Sequence, residues 1–237
     1  MLKTKAEDWL LSCNKYNKAL PPSKKVGNGK AITISVSSGK GGVGKTSVAL
    51  KFGLLLAGQG SKVLLVDCDY NLSNLHIKLN IRNQNSFYSL YKGEKKFNDC
   101  LFKRGNFHLL SGGNGDAELF NNVIDMDSFL IGVISRHERD YDYIILDCPA
   151  GISKEVLTLN AYCDERIVVV TPDKSSITDS YSLIKLLNLE LGINSNCVLA
   201  NKIVSSAQYK RIVNSISSTV DSFLNCRINL NVTFIKV

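Results

Sequence analysis

The sequence predicts an α/β fold: a doubly wound, mainly parallel sheet with helices on both faces. Three observations predict it. From residue 31 to the end, short β-branched runs alternate with helix-length amphipathic segments. The runs are continuously apolar rather than alternating, as strands buried on both faces require. A glycine-rich turn joins the first run to the first helical segment, and in such sheets ligands gather at the carboxyl ends of the strands.

Residues 1 to 30 read as a basic extension and linker. The stretch PPSKKVGNGK (21 to 30) combines prolines, glycines and lysines immediately before the first strand. Upstream, Ala6, Trp9, Leu10 and Cys13 recur at i, i+3, i+4 and i+7. That spacing gathers one apolar stripe on a short helix, suited to docking on the parent domain or on another protein. Residues 31 to 237 then form the main domain. Its expected strands are AITISV (31 to 36), KVLLVD (62 to 67), FHLL (107 to 110), YDYIILD (141 to 147), RIVVVT (166 to 171), NCVLAN (196 to 201) and NVTFI (231 to 235). Helical stripes lie between them: SVALKFGLLLAG after the first strand, then Ile177, Tyr181, Ile184, Leu187 and Leu191, then Ile212, Ile216, Val220 and Phe223.

Composition narrows the class. The chain has 237 residues, 44% hydrophobic and 21% charged, enough for a sizeable core. No apolar run approaches the roughly 20 residues of a membrane span, and the start, MLKTKAEDW, lacks the apolar stretch of a signal peptide. Seven cysteines without a C-x-x-C pair argue against a disulfide framework and against zinc or iron-sulfur sites. The net charge of +8 sits at the ends: residues 1 to 30 carry +5, residues 202 to 237 carry +4, and the remainder sums to −1. Such ends suit an anionic partner or simple solvation.

The chemistry begins after the first strand, where GKGGVGKT (39 to 46) satisfies G-x-x-x-x-G-K-[ST] between a strand and a helix. Gly39, Gly41, Gly42 and Gly44 let backbone N–H groups close on phosphate oxygens, with the helix N-terminus adding its dipole. Lys45 supplies a charge to the outer phosphates, and the Thr46 hydroxyl suits Mg²⁺. Val43 and Ser47 complete the loop set. Two strands end in carboxylates: KVLLVD in Asp67-Cys68-Asp69, and YDYIILD in Asp147. Beside a phosphate loop, such positions face the metal and the attacking water.

Lys40, one residue after the first glycine, decides the subclass. K-G-G-V-G-K-T resembles the deviant phosphate-loop signature of the MinD/ParA family of ATPases, over residues 31 to 237. The resemblance implies that Lys40 reaches across an ATP-dependent homodimer to the partner's phosphates. It implies that Asp69 positions the water, that Asp67 and Asp147 hold the Mg²⁺ shell with Thr46, and that Asn201, at the end of NCVLAN, recognises adenine. The cofactors implied are ATP and Mg²⁺.

Three segments resemble the FlhG (YlxH, FleN) branch: DCDYNLSNLHIKLNI, CPAGISKEVLTLN and TPDKSSITDSYSLIK (171 to 185). In the last of these, Thr171, Pro172, Thr178, Asp179, Tyr181, Leu183, Ile184 and Lys185 fit the branch pattern. That resemblance implies an ATPase switch regulating flagellar number and placement, partnered with an FlhF-like GTPase and flagellar C-ring or switch proteins. A cytoplasmic location is expected, with peripheral association at the inner face of the membrane. The branch's D-Q-A-x-x-L-R motif is not matched, since Asp8 is followed by Trp9 and Leu10. The last strand falls where the family continues toward a membrane-targeting helix, so truncation at the C-terminal end is expected. Alternative readings are a ParA-type partition ATPase binding DNA nonspecifically and a division-site MinD. The basic ends suit the first, but no groove-reading element accompanies them.

Overall fold

The computed structural model describes residues 29–69, 75, 79, 87–112, 126–223 and 229–236. The stripe of Ala6, Trp9, Leu10 and Cys13 lies outside the described residues, as does most of the segment 70–81. The elements, in chain order, are β1 (Ile32–Ser38), α1 (Lys45–Gly58), β2 (Val63–Asp67), α2 (Phe87–Tyr91), β3 (Leu101–Arg104), β4 (Phe107–Leu110), α3 (Met126–His137), β5 (Tyr143–Ala150), α4 (Lys154–Tyr162), β6 (Glu165–Val170), α5 (Lys174–Leu191), β7 (Ser195–Ile203), α6 (Ser206–Phe223) and β8 (Asn229–Lys236). The chain divides into two compact units. One contains Ile34–Lys45 and the chain from Pro149 onward; the other contains Thr46–Cys148 and the stretch ending at Thr33.

Among the described residues eight strands form, neighbours in the orders β3-β4-β2-β5 and β1-β6-β7-β8. All seven expected strands form. β2 pairs in parallel with β4 and β5, while β6 pairs in parallel with β1 and β7, and β7 with β8. The eighth strand, β3, is an addition: it runs antiparallel to β4. Its sequence, LFKR, exposes Lys103 and Arg104 and carries no continuous apolar run. Charged residues are what an edge strand uses against further pairing, and they hid it from a search for buried strands.

In the unit holding β2, every residue from Val63 to Asp67 is buried. Each fully buried Val or Leu there contributes about 1.5–3 kcal/mol relative to exposure. Gly53 of α1 packs closely on β4: a Cβ there would lie 3.0 Å from the Phe107 ring, which would have to give by a few tenths of an ångström. In the other unit, Leu183, Ile184 and Leu187 of α5 pack with Ile212, Ile216 and Val220 of α6 against Val168, Val170, Val198 and Ala200. Leu191, expected on the α5 stripe, is instead 43% exposed. The helix stops there: Gly192 adopts φ 66° and donates to Asn188 O at 2.9 Å, and Ile193 turns back to take the packing place. The side chain of Phe223 lies outside the described residues. β1 is less apolar than its neighbours, and its serines are buried. Ser35 and Ser37 donate to Asn160 Oδ1 at 2.8 and 3.1 Å, and Asn160 in turn donates to Val156 O, so the polar groups are satisfied.

Candidate functional site

The loop after β1 is shaped by close approaches that only glycine permits. A Cβ on Gly39 would lie 2.1 Å from the Asp179 carbonyl, so the loop's first residue is pressed against the backbone of α5. Gly44 sits at φ +99°, and its Cβ would lie 2.5 Å from Asn201 Nδ2. Gly42 also has a positive φ, of +76°. These turns draw the loop tight, and Ser38 Oγ donates to Lys40 O at 2.6 Å to close its base. α1 starts at Lys45 with no acidic residue in its first turn, which leaves its N-terminus electropositive. Such a cradle of close backbone and helix N-terminus fits a polyphosphate chain.

β7 braces the same loop. A register shift between Ala200 and Ile203 accompanies Lys202, which takes φ 57°, a left-handed conformation rare outside glycine. The two side chains at the shift then reach the loop. Asn201, 9% exposed, donates from Nδ2 to Val43 O at 2.8 Å, and Lys202 Nζ donates to Gly42 O at 2.9 Å. Asn201 thus holds the loop with one amide proton and retains its other proton and its carbonyl oxygen for a ligand.

Lys40 is also placed within its own chain. Its Nζ donates to Asp173 Oδ1 at 2.8 Å and to Ser175 Oγ at 2.6 Å. Asp173 caps α5, accepting from Ser176 N at 2.9 Å, from Ser175 Oγ at 2.8 Å and, on its other oxygen, from Thr171 Oγ1 at 2.6 Å. The Lys40 bond, followed by those from Thr171, the Ser176 amide and Ser175, holds the Asp173 carboxyl well below the usual carboxylate range.

In the other unit, Asp67 and Asp147 are register partners on the parallel strands β2 and β5, both 3% exposed. Adjacent parallel strands lie about 4.8 Å apart, so the two carboxylates stand side by side where β2 ends, although β5 runs three residues past Asp147 to Ala150. Asp69 N donates to Asp67 Oδ1 at 3.2 Å within the exit of β2, and Cys68 N donates to Asp147 O at 3.0 Å, tying that exit to β5. Gly112 is enforced here as well, since its Cβ would lie 2.7 Å from Asp69 O. Thr46 and Ser47 open α1 in this unit. Thr46, Asp67 and Asp147 offer only oxygen donors, which suits Mg²⁺ rather than a soft metal. Among the described residues no three His, Cys, Asp or Glu side chains gather as a metal site. A cation that takes its remaining ligands from phosphate and water needs no such group.

The loop residues 39 to 45 and Asn201 are therefore brought together in one unit, and Asp67, Asp69 and Asp147 in the other. Sequence reasoning passed over Asp173 and Ser175 as site residues although it quoted the segment holding them. It also passed over Gly112 and the bracing role of Lys202. The signals were present: an Asp before a helix-length stripe, and a glycine pair ending the run LLSGG.

Residues 31–206 match the AAA domain family. The chain is 31% identical to the antiactivator FleN of Pseudomonas aeruginosa over 193 residues, covering 81% of this chain and 69% of that protein. It is 32% identical to the septum site-determining protein MinD of Bacillus subtilis over 177 residues, covering 74% of this chain and 65% of that protein. Among solved structures, MinD of Pyrococcus horikoshii complexed with Mg-ADP superposes with a TM-score of 0.68 at 28% identity, covering 78% of this chain and 77% of that one. The glycine-built loop carrying Lys40, the paired strand-end carboxylates and these likenesses agree: the chain belongs to the MinD/ParA family of P-loop ATPases, close to FleN.

Proposed function

We propose that this chain is an ATP-gated switch of the FlhG type, which binds Mg·ATP, pairs with a second copy and hydrolyses the nucleotide, and thereby regulates flagellar number and placement. The observation that carries this reading is Lys40, placed one residue after Gly39 on a loop closed by Gly42 and Gly44, with its ammonium turned to Asp173 and Ser175 of its own chain. Lys45 and the loop amides bind the phosphates of the chain's own nucleotide, and Lys40 meets those of the partner's. Asn201 reads adenine with the amide groups that the Val43 bond leaves over. Asp69 orients the attacking water, while Thr46, Asp67 and Asp147 hold Mg²⁺. The bound ion would offset charge on the phosphate oxygens. The identity with FleN and the segment 171 to 185 support the flagellar branch, with an FlhF-like GTPase and C-ring proteins as partners. The 32% identity with MinD favours a division-site role as the second reading.

The biochemical part is tested with Asp69→Ala, which should bind Mg·ATP without hydrolysing it and accumulate as a dimer in light scattering. A protein that stays monomeric at saturating ATP contradicts the reading. The cellular part is tested by deleting the gene and counting flagella per cell. An altered flagellar count supports the flagellar branch, minicells point to division, and plasmid or chromosome loss points to partition.

A further inference from the structure

The first two residues of the phosphate loop are both seated on α5. Gly39 lies against the Asp179–Ser180 backbone, and Lys40 is held by the side chains that open the helix. The seat for Lys40 is built independently of the lysine. Asp173 accepts the Ser176 amide, the Ser175 hydroxyl and the Thr171 hydroxyl, which fix both of its oxygens. Lys40 then spends two of its three ammonium protons on Asp173 and Ser175. An ammonium committed in this way is not available to a second chain.

We propose that Asp173, assisted by Ser175, is a positioning residue that holds Lys40 within its own chain, and that its release is a required step of nucleotide-driven pairing. This rests on the reading of Lys40 as the residue that meets the partner's phosphates. The seat competes with those phosphates for one ammonium, so it sets how much nucleotide-bound protein is needed before two copies stay together. It also keeps the lysine folded back while the partner is absent.

Both side chains are about half exposed, at 42% for Lys40 and 47% for Asp173, so the contact is screened and modest. Exposed pairs of this kind are worth roughly a factor of two to five in an equilibrium constant. A symmetric dimer releases two of them, which multiplies to roughly four- to twenty-five-fold.

Asp173→Asn tests the idea, because asparagine preserves the helix cap while removing the charge. Two measurements are made on the full chain. In nucleotide-free protein labelled with ¹⁵N-lysine, the Lys40 ammonium resonance, assigned by its loss in Lys40→Ala, should shift in Asp173→Asn. An unchanged resonance overturns the proposal irrespective of any dimer. In the Asp69→Ala background with Mg·ATP, the dimer dissociation constant from sedimentation should fall roughly four- to twenty-five-fold on adding Asp173→Asn. A constant that stays the same or rises also overturns it. Ser175→Ala, which leaves the Asp173 cap in place, should shift both readouts in the same direction by less, and no movement in this second variant counts against the seat. Failure of the Asp69→Ala parent to dimerise refutes the reading of Lys40 itself, and the gating role with it; that result is read without altering Asp173.

Discussion

Gly44 and Asn201 should be coupled, and the size of the coupling follows from their geometry. Gly44→Ala places a Cβ at φ +99°, where side chains are strained by roughly 1–3 kcal/mol. The same Cβ would sit 2.5 Å from Asn201 Nδ2, so the amide must move and give up its bond to Val43 O. That bond is worth about 0.5–1.5 kcal/mol, which brings the expected cost of Gly44→Ala to about 1.5–4.5 kcal/mol. Asn201→Ala alone loses the bond and should cost about 0.5–1.5 kcal/mol. In the double variant the bond is lost only once, so the total should equal that of Gly44→Ala alone, with a coupling of about 0.5–1.5 kcal/mol. The assay is equilibrium urea unfolding of the nucleotide-free chain. Far-UV circular dichroism is the probe, because it follows the helices and strands, whereas the single tryptophan, Trp9, lies outside the described residues. Costs that simply add would refute the reasoning, since they would show that the loop and Asn201 do not share the contact.

The two loop lysines should separate by assay. Lys45→Ala should weaken ATP binding in calorimetry by roughly 10- to 100-fold, the worth of a charge-assisted contact; Lys40→Ala should retain binding and lose hydrolysis by about 10³-fold. Equal losses of binding in both would contradict the assigned roles. A pH effect is expected at Tyr141, which is 3% exposed with its hydroxyl 2.9 Å from His108 Nδ1. Burial first, and then the charge of Asp140, push its phenol well above the ordinary value near 10. Its folded pKa exceeds its unfolded one, so the stability it supplies is complete below pH 10 and declines as the pH rises further, by up to about 1.4 kcal/mol per unit. Tyr141→Phe should remove that part of the alkaline loss, and parallel stability profiles for the two proteins between pH 9 and 11 would count against it.

The strands were legible because burial on both faces leaves runs such as VLLV and YIIL with no polar interruption. β3 was not, since an edge strand is selected to look polar. The division of the chain into two units also left no mark on the sequence: one of its boundaries falls between Lys45 and Thr46, inside the motif that most clearly announces the fold, and others fall within β1 and β5. Strand-end carboxylates were legible by type, but that Asp67 and Asp147 are register partners depends on β2 lying next to β5, and strand order is not a local property.

Lys40 and Asp173 show the same limit most directly. Each was readable in isolation, the lysine from its loop and the aspartate from its place before a helical stripe, yet 133 residues separate them. What joins them is strand order. β1 and β6 are parallel neighbours with Ser37 opposite Val168, so the chain leaves both strands at the same edge of the sheet. Lys40 follows three residues after Ser37, and Asp173 five residues after Val168, within reach of one another. β6 in turn pairs Val170 with Ala200, which delivers Asn201 and Lys202 to that edge as well. Once the order β1-β6-β7 is known, the seat of the lysine and the brace of the loop follow from counting residues past the last paired position. Parallel pairing therefore does for this site what sequence proximity does for the loop itself: it gathers the groups that hold the loop onto a single edge, where a change at Asp173 or Asn201 is felt at Lys40 and Gly44.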